Sequence, residues 1–88
     1  MPSPRSLFRT VVSKNTPRER REAAIDSLEA LDATTNLRVI VVTAGLDGPF
    51  RRQALAALGR CGATEPLDRL ATDTSLDPAL QKRAAELA

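Results

Sequence analysis

LDGPFRRQALAAL, residues Leu46–Leu58, is the most informative segment of the chain, because much of it recurs thirty residues later. The second copy is recognised by matched positions: Leu46-Asp47 with Leu76-Asp77, Phe50 with Leu80, Arg52 with Lys82, and Ala54 with Ala84. A fixed period of this length is typical of proteins built from stacked supersecondary units. The recurrence therefore predicts a repeat architecture.

The composition favours closely packed helices in a single domain that covers residues 1–88. Hydrophobic residues make up 42% of the chain, but Phe8 and Phe50 are the only aromatics. The remaining apolar mass is almost entirely Ala, Leu, Val and Ile, which suits helix–helix packing better than a binding pocket.

The period also extends towards the N-terminus, where Leu7, Val11 and Val12 become Leu37, Val41 and Val42 one period later. Their spacing places them on one helical face, so we expect a first helix from about Ser6, as N-cap, to Lys14. A second helix is expected from Thr16-Pro17-Arg18-Glu19, a capping-box pattern, to about Leu31 or Asp32.

The segment LRVIVVT, Leu37–Thr43, supports two interpretations. Its run of β-branched residues from Val39 to Val42 is the best local strand candidate in the chain. Its counterpart one period later, LDRLA, is a good helix former, and the sequence offers no second strand to pair with it. We therefore predict a buried helix over Thr35–Ala44, ended by Gly45 as a left-handed C′ residue.

Three further helices follow, with Asp47, Thr64 and Asp77 as their N-terminal caps. The predicted fold is all-α: a right-handed α-solenoid of about six short helices in three antiparallel pairs, with frames at approximately 6–32, 34–62 and 64–88. The last apolar stripe ends in Leu87 and Ala88, which we expect to leave an uncapped edge open to self-association or to a partner.

One motif resembles a short HEAT-like repeat: Asp47-x-x-x-Arg51-x-x-Ala54-x-x-Ala57-Leu58-Gly59-x-x-Gly62, followed by Leu67-x-x-Leu70. The likeness is to the roughly thirty-residue type of phycobilisome-lyase-like HEAT proteins, a compact variant of the usual units of about 40–47 residues. The first frame departs from it, with Glu29 and Asp32 at the two glycine positions. The resemblance implies a scaffold or adaptor that mediates protein–protein interaction.

The uneven distribution of charge along the chain indicates an alternative function. Residues 1–21 carry six basic residues against Glu19 alone, whereas the rest of the chain carries seven basic and ten acidic residues. Because Arg51 lies one period after Arg21, these side chains could share an edge that contacts phosphates of a nucleic acid or the ribosome. The candidate binding surface consists of Arg5, Arg9, Lys14, Arg18, Arg20, Arg21, Arg51 and Arg52.

The sequence offers little for catalysis. It contains no His and a single cysteine, Cys61, so the commonest general base and a zinc ligand set are both missing. We expect no enzymatic activity, no catalytic residues, no metal and no cofactor. With no disulfide, no long apolar run and no uninterrupted signal-like stretch, the chain is expected to be cytoplasmic and not associated with a membrane.

Overall fold

The computed structural model describes residues 2–88, and its helices follow the period of the sequence. They are α1 Pro4–Val12, α2 Arg18–Ala30, α3 Thr34–Val42, α4 Gly48–Arg60, α5 Thr64–Ala71 and α6 Pro78–Leu87. No strand occurs in this range, so the all-α prediction is confirmed. The odd-numbered helices begin at residues 4, 34 and 64, and the even-numbered ones at 18, 48 and 78. The thirty-residue recurrence is therefore also a recurrence of backbone structure.

The helices form two layers, with α1, α3 and α5 in one and α2, α4 and α6 in the other. Consecutive helices pair across the layers, and α4 lies at the centre, where it contacts α2, α3, α5 and α6. In the first pair, Val11 near the end of α1 bonds to Arg21 near the start of α2. Leu7, nearer the start of α1, borders the same depression as Ala30 at the end of α2. The end of α1 therefore lies beside the start of α2, and the start of α1 beside the end of α2, so the pair is antiparallel.

The core lies between the layers, and α4 contributes most to it. Leu55 and Leu58 are fully buried there, together with Ile25 of α2 and Leu37 of α3. Full burial of one such side chain contributes about 1.5–3 kcal/mol. Five apolar residues of α4, whose helical spacing predicts one buried face, are all buried: Phe50, Ala54, Leu55, Ala57 and Leu58.

The β-branched segment is helical, as the repeat predicts. Ile40 and Val41 are fully buried in α3, which packs against α1, α2, α4 and α5. Burial of several branched side chains outweighs the few tenths of a kcal/mol that each loses in helix propensity. The helix ends at Val42, two residues earlier than predicted, and the backbone at Thr43 is extended.

The cap predicted for α6 is confirmed, whereas the caps predicted for α4 and α1 differ from the structure. Asp77 caps α6, where its Oδ1 accepts the Ala79 N–H at 2.9 Å. Asp47 precedes α4 but makes no side-chain capping bond. At the start of α1 the cap is Ser3 rather than Ser6, whose own N–H donates to Ser3 Oγ at 3.2 Å. Proline explains the earlier start, since Pro4 is well suited to the first helical turn.

The capping predictions for α2 and α5 are wrong. Pro17 occupies the cap position of α2, with no side-chain bond from Thr16 or Glu19. Thr64 is the first residue of α5, after an Ala63 cap. Both cap residues have a non-helical backbone, with ψ 148° at Pro17 and 66° at Ala63.

Left-handed backbone occurs at two positions of the described chain, and Gly45 is not one of them. Gly62 has φ 67° and Asp32, one period earlier, has φ 55°. The prediction that Gly45 ends α3 as a left-handed residue is therefore wrong. In the first frame, which has no glycine at this position, Asp32 adopts the left-handed conformation that Gly62 adopts in the next frame.

The apolar ends of the stack also differ from expectation. Leu31 continues the helical spacing of Ile25 and Leu28, which predicts it on the apolar face of α2. It is instead 45% exposed, the highest value for a large hydrophobic residue in the described chain. Leu87, predicted to leave an open apolar edge, packs partly buried against the core beside Gly59. A β-carbon at Gly59 would lie 3.0 Å from Leu87 Cδ2, so the glycine is what lets this leucine approach α4.

Candidate binding groove

Two predicted surface arginines serve the fold. The Arg21 Nε–H donates to the carbonyl of Val11 at 2.8 Å, and Arg51 makes the same bond to Val41, also at 2.8 Å. Val11 and Val41 lie in the last turns of α1 and α3, where carbonyls have no intrahelical partner. Each arginine therefore satisfies an orphan helix end while joining the two helices of its pair.

Arg21 does not belong to the exposed surface that the sequence predicts. Its side chain is only 8% exposed, and its guanidinium lies 4.2 Å from the centre of the Phe50 ring, a cation–π geometry. Arg51 is half-buried. At the third equivalent position, the Gln81 side-chain amide donates to the carbonyl of Asp73.

A first groove lies between the start of α2 and the start of α4. It has a volume of about 350 Å³ and is lined by Arg18, Arg21, Asp47 and the Gly48–Phe50 segment. The two arginines come from α2, and Asp47 precedes α4. The predicted residues Arg18 and Arg21 thus meet in one depression.

A second groove lies between α4 and α6 and has a volume of about 550 Å³. Its floor contains Ala56, Ala79 and Leu80, and its charged residues are Arg51, Arg52, Lys82, Arg83, Asp77 and Glu86. Most of the residues lining the first groove have their thirty-residue equivalents here. The two grooves are therefore successive copies of one feature along the face of α2, α4 and α6.

The basic side chains of the second groove are largely without acidic partners. Arg51, Arg52 and Lys82 form no ion pair with the residues at 2–88, and Arg83 reaches Glu86 at 3.7 Å. Arg52 lies against Gly48, where a β-carbon would come within 3.0 Å of its Nη1. Its guanidinium lines the groove, is exposed and is available to an anion.

The remaining predicted surface residues do not join these grooves. Arg5 and Arg9 are exposed on α1, Lys14 on the following loop, and Arg20 in the first turn of α2. None of these four lines either groove. The candidate surface of the sequence is therefore divided between the grooves and the first helix pair.

Lys82 and Arg83 line the second groove but were not among the predicted residues. The signal for Lys82 is present in the sequence, because it lies one period after Arg52. Arg83 corresponds to Gln53, so the repeat gives no indication of its charge. Only the packing of α6 against α4 places it in the groove.

The basic side chains that line the second groove suit the binding of an anion. Across residues 2–88, no three His, Cys, Asp or Glu side chains come together as a possible metal site. Burial raises the pKa of the Cys61 thiol, helped by the nearby Asp32 carboxylate, so little reactive thiolate is present at neutral pH. Asp73 accepts hydrogen bonds from the N–H and hydroxyl of Ser75, which lower its pKa and give it a role in the turn before α6.

Comparison with protein-family models, curated proteins and solved structures gave no match. Over the described residues, each helix is too short or too polar to cross a membrane.

Proposed function

We propose that this protein is a small HEAT-like module that binds a partner protein, with the face of α2, α4 and α6 as its contact surface. In this proposal the helix pairs form a right-handed α-solenoid that acts as a cytoplasmic scaffold or adaptor. Support comes from helix starts, turns and arginine–carbonyl bonds that recur every thirty residues. The single cysteine fits a reducing compartment.

The observation that carries the proposal is the repetition of the groove itself. Both copies combine an apolar floor with basic side chains, and the floor of the second includes the buried Leu80. A partner chain that crosses α2, α4 and α6 would meet similar chemistry at each step. Extended surfaces of this kind are the usual binding feature of stacked helical repeats.

The proposal contains no catalytic step. The groups that converge in the second groove are mainly guanidinium and ammonium groups, which bind anions. The one thiol in the described chain lies half-buried with its pKa raised, outside both grooves.

Site-specific photo-cross-linking in the native host tests the contact surface. A benzophenone side chain at Ala79, exposed at the second groove, should cross-link a discrete protein, and one at the exposed Asp68 of α5 should not. The Ala79 product should disappear when Arg52 and Lys82 are both changed to Glu. Equal cross-linking from both positions, or a product insensitive to charge reversal, would contradict the proposal.

Nucleic-acid binding is a second candidate function, favoured by the exposed basic residues of the first helix pair. Arg5, Arg9, Lys14, Arg18 and Arg20 form no ion pair with any described residue. The chain's two aromatic residues, Phe8 and Phe50, are at least partly buried, so no exposed ring offers a stacking platform for bases.

A salt-dependent titration distinguishes this candidate. Binding of single-stranded RNA or duplex DNA should weaken steeply as salt rises, and Arg18→Glu with Arg20→Glu should abolish it. Absence of binding at low salt would eliminate the candidate. Self-association through α6 stays a prediction of the sequence, which sedimentation at micromolar concentration tests.

A further inference from the structure

We propose that the second groove binds an acidic peptide segment whose carboxylates recur every third residue. This rests on the proposed function and specifies the chemistry of the partner. Carboxylates would pair with Arg52 and Lys82, while an aliphatic side chain would lie over Ala79 and Leu80.

Charge complementarity selects an anionic occupant. Four basic side chains line the groove against two acidic ones, Asp77 and Glu86. Arg52 and Lys82 are both exposed, and neither has an acidic partner within the described chain. Arginine and lysine side chains recognise carboxylates through charge-assisted hydrogen bonds, which are about twice as strong as neutral ones.

The repeat suggests the spacing of the carboxylates. Arg52 and Lys82 occupy equivalent positions on α4 and α6, which pack against each other. Axes of packed helices lie about 8–10 Å apart. A polyproline II segment has three residues per turn and rises about 3.1 Å per residue, so side chains at i and i+3 lie on one side, about 9 Å apart. Such a peptide would present its carboxylates in step with the two helices.

The lining of the groove favours a peptide over a nucleic acid. Its floor is Ala56, Ala79 and Leu80, with no aromatic side chain to stack on a base. Aliphatic side chains between the carboxylates of a peptide would instead bury their surface on this floor, and the volume of about 550 Å³ gives them room.

The first groove is less suited to the same ligand. Its volume is about 350 Å³, and the Arg21 guanidinium already lies over Phe50. Arg18 is the one exposed basic side chain that lines it. The second groove is therefore the principal site.

Fluorescence anisotropy with the 88-residue chain tests the proposal. The probe is a fluorescein-labelled peptide of repeating Glu-Pro-Leu, which favours polyproline II and carries a carboxylate at every third residue. It should bind the protein, and its Gln-Pro-Leu counterpart should bind at least about tenfold more weakly. A peptide of the same composition with clustered glutamates should also lose affinity.

Two double variants separate a local site from overall charge. Arg52→Glu with Lys82→Glu should weaken binding at least about tenfold, whereas Arg5→Glu with Arg9→Glu, which changes the net charge equally, should not. All four positions are exposed, so both variants should keep the wild-type circular-dichroism melt. An equal loss in the two variants would overturn the proposal.

The outcome also distinguishes this inference from the proposed function. Oligouridylate that displaces the peptide from the wild-type groove and binds more tightly would overturn the peptide assignment in favour of nucleic acid. Failure of the acidic peptides alongside a charge-sensitive protein cross-link from Ala79 would make the peptide class wrong and leave the contact surface standing. Loss of both results would overturn the two together.

Discussion

Asp32 and Gly62 are two residues of different type that the fold places in one backbone conformation. The N–H of Ala33 donates to the carbonyl of Leu28, and the N–H of Asp32 donates to that of Glu29. This is a Schellman motif. The same two bonds recur one period later: from Ala63 to Leu58 and from Gly62 to Gly59. Glycine tolerates the positive φ without steric cost, whereas aspartate does not.

Asp32→Gly should therefore stabilise the protein. Removing the β-carbon relieves left-handed strain, and removing the carboxylate takes a negative charge from a helix C-terminus. We expect the free energy of unfolding to rise by about 1 kcal/mol. Urea unfolding followed by circular dichroism measures it, and Asp32→Asn, which keeps the side-chain size, isolates the contribution of charge.

Gly62→Ala is the reciprocal variant. A β-carbon there would meet no atom within 4 Å, so backbone strain alone should act. The free energy of unfolding should fall by about 1 kcal/mol. A decrease in Asp32→Gly, or no change in Gly62→Ala, would show that the left-handed conformation does not set the energetics of these turns.

At the scale of elements, each of the first two helix pairs is joined by a side chain as well as by its loop. Arg21 connects α2 to the end of α1, and Arg51 connects α4 to the end of α3, through Nε–H bonds to Val11 and Val41. The geometry explains an arginine at these register positions, because a long stem reaches a carbonyl ten residues earlier in the chain. The sequence pattern alone predicts that the same arginines lie along an exposed edge.

Arg21→Met tests this structural role. The variant keeps a long unbranched side chain but leaves the Val11 carbonyl without its donor. Hydrogen bonds that involve a charged group contribute about 1.5–3 kcal/mol, and we expect the free energy of unfolding to fall by that amount. The measurement is a urea unfolding curve. Arg20→Met, a neighbouring exposed position, should change stability by less than about 0.5 kcal/mol and is the matched control.

At the scale of the whole molecule, an ion pair joins the first helix pair to the second. Arg60 near the end of α4 pairs with Glu29 near the end of α2, with Nη2 at 2.7 Å from Oε1 and Nε at 3.0 Å from both carboxylate oxygens. The Arg60 guanidinium holds the pKa of Glu29 below its ordinary value of 4.5. The pair therefore gives part of the stability of the stack a dependence on pH.

Glu29→Gln should reduce stability at neutral pH and not in acid. Since the folded pKa of Glu29 is lowered, its contribution is complete above about 4.5 and is lost as the pH falls through the folded pKa. Both side chains are partly exposed, so the effect should stay below about 1 kcal/mol. Unfolding curves for both proteins at neutral pH and at about pH 3 measure it. A difference that persists in acid would contradict the ion pair.

The sequence pattern alone predicts the period, the helical class and most of the core. These features depend on local patterns that recur in each frame: apolar stripes at helical spacing, and a proline or a small polar residue before a helix. Repetition also corrected the local reading of Val39–Val42, because a helical counterpart stands one period later. Predictions based on single capping residues are less accurate. Thr16 makes no capping bond at the start of α2, and Gly45 does not adopt the left-handed conformation after α3.

The packing of the helices sets which side chains face the groove. Arg21 turns inward because the orphan carbonyl of Val11 lies within reach, and Leu87 is covered because Gly59 admits it. Lys82 joins Arg52 because α6 packs beside α4. Each of these outcomes joins residues of different helices, some of them thirty positions apart. The physical reason is that side-chain direction and groove formation depend on how the helices pack, which the pattern within a helix does not encode.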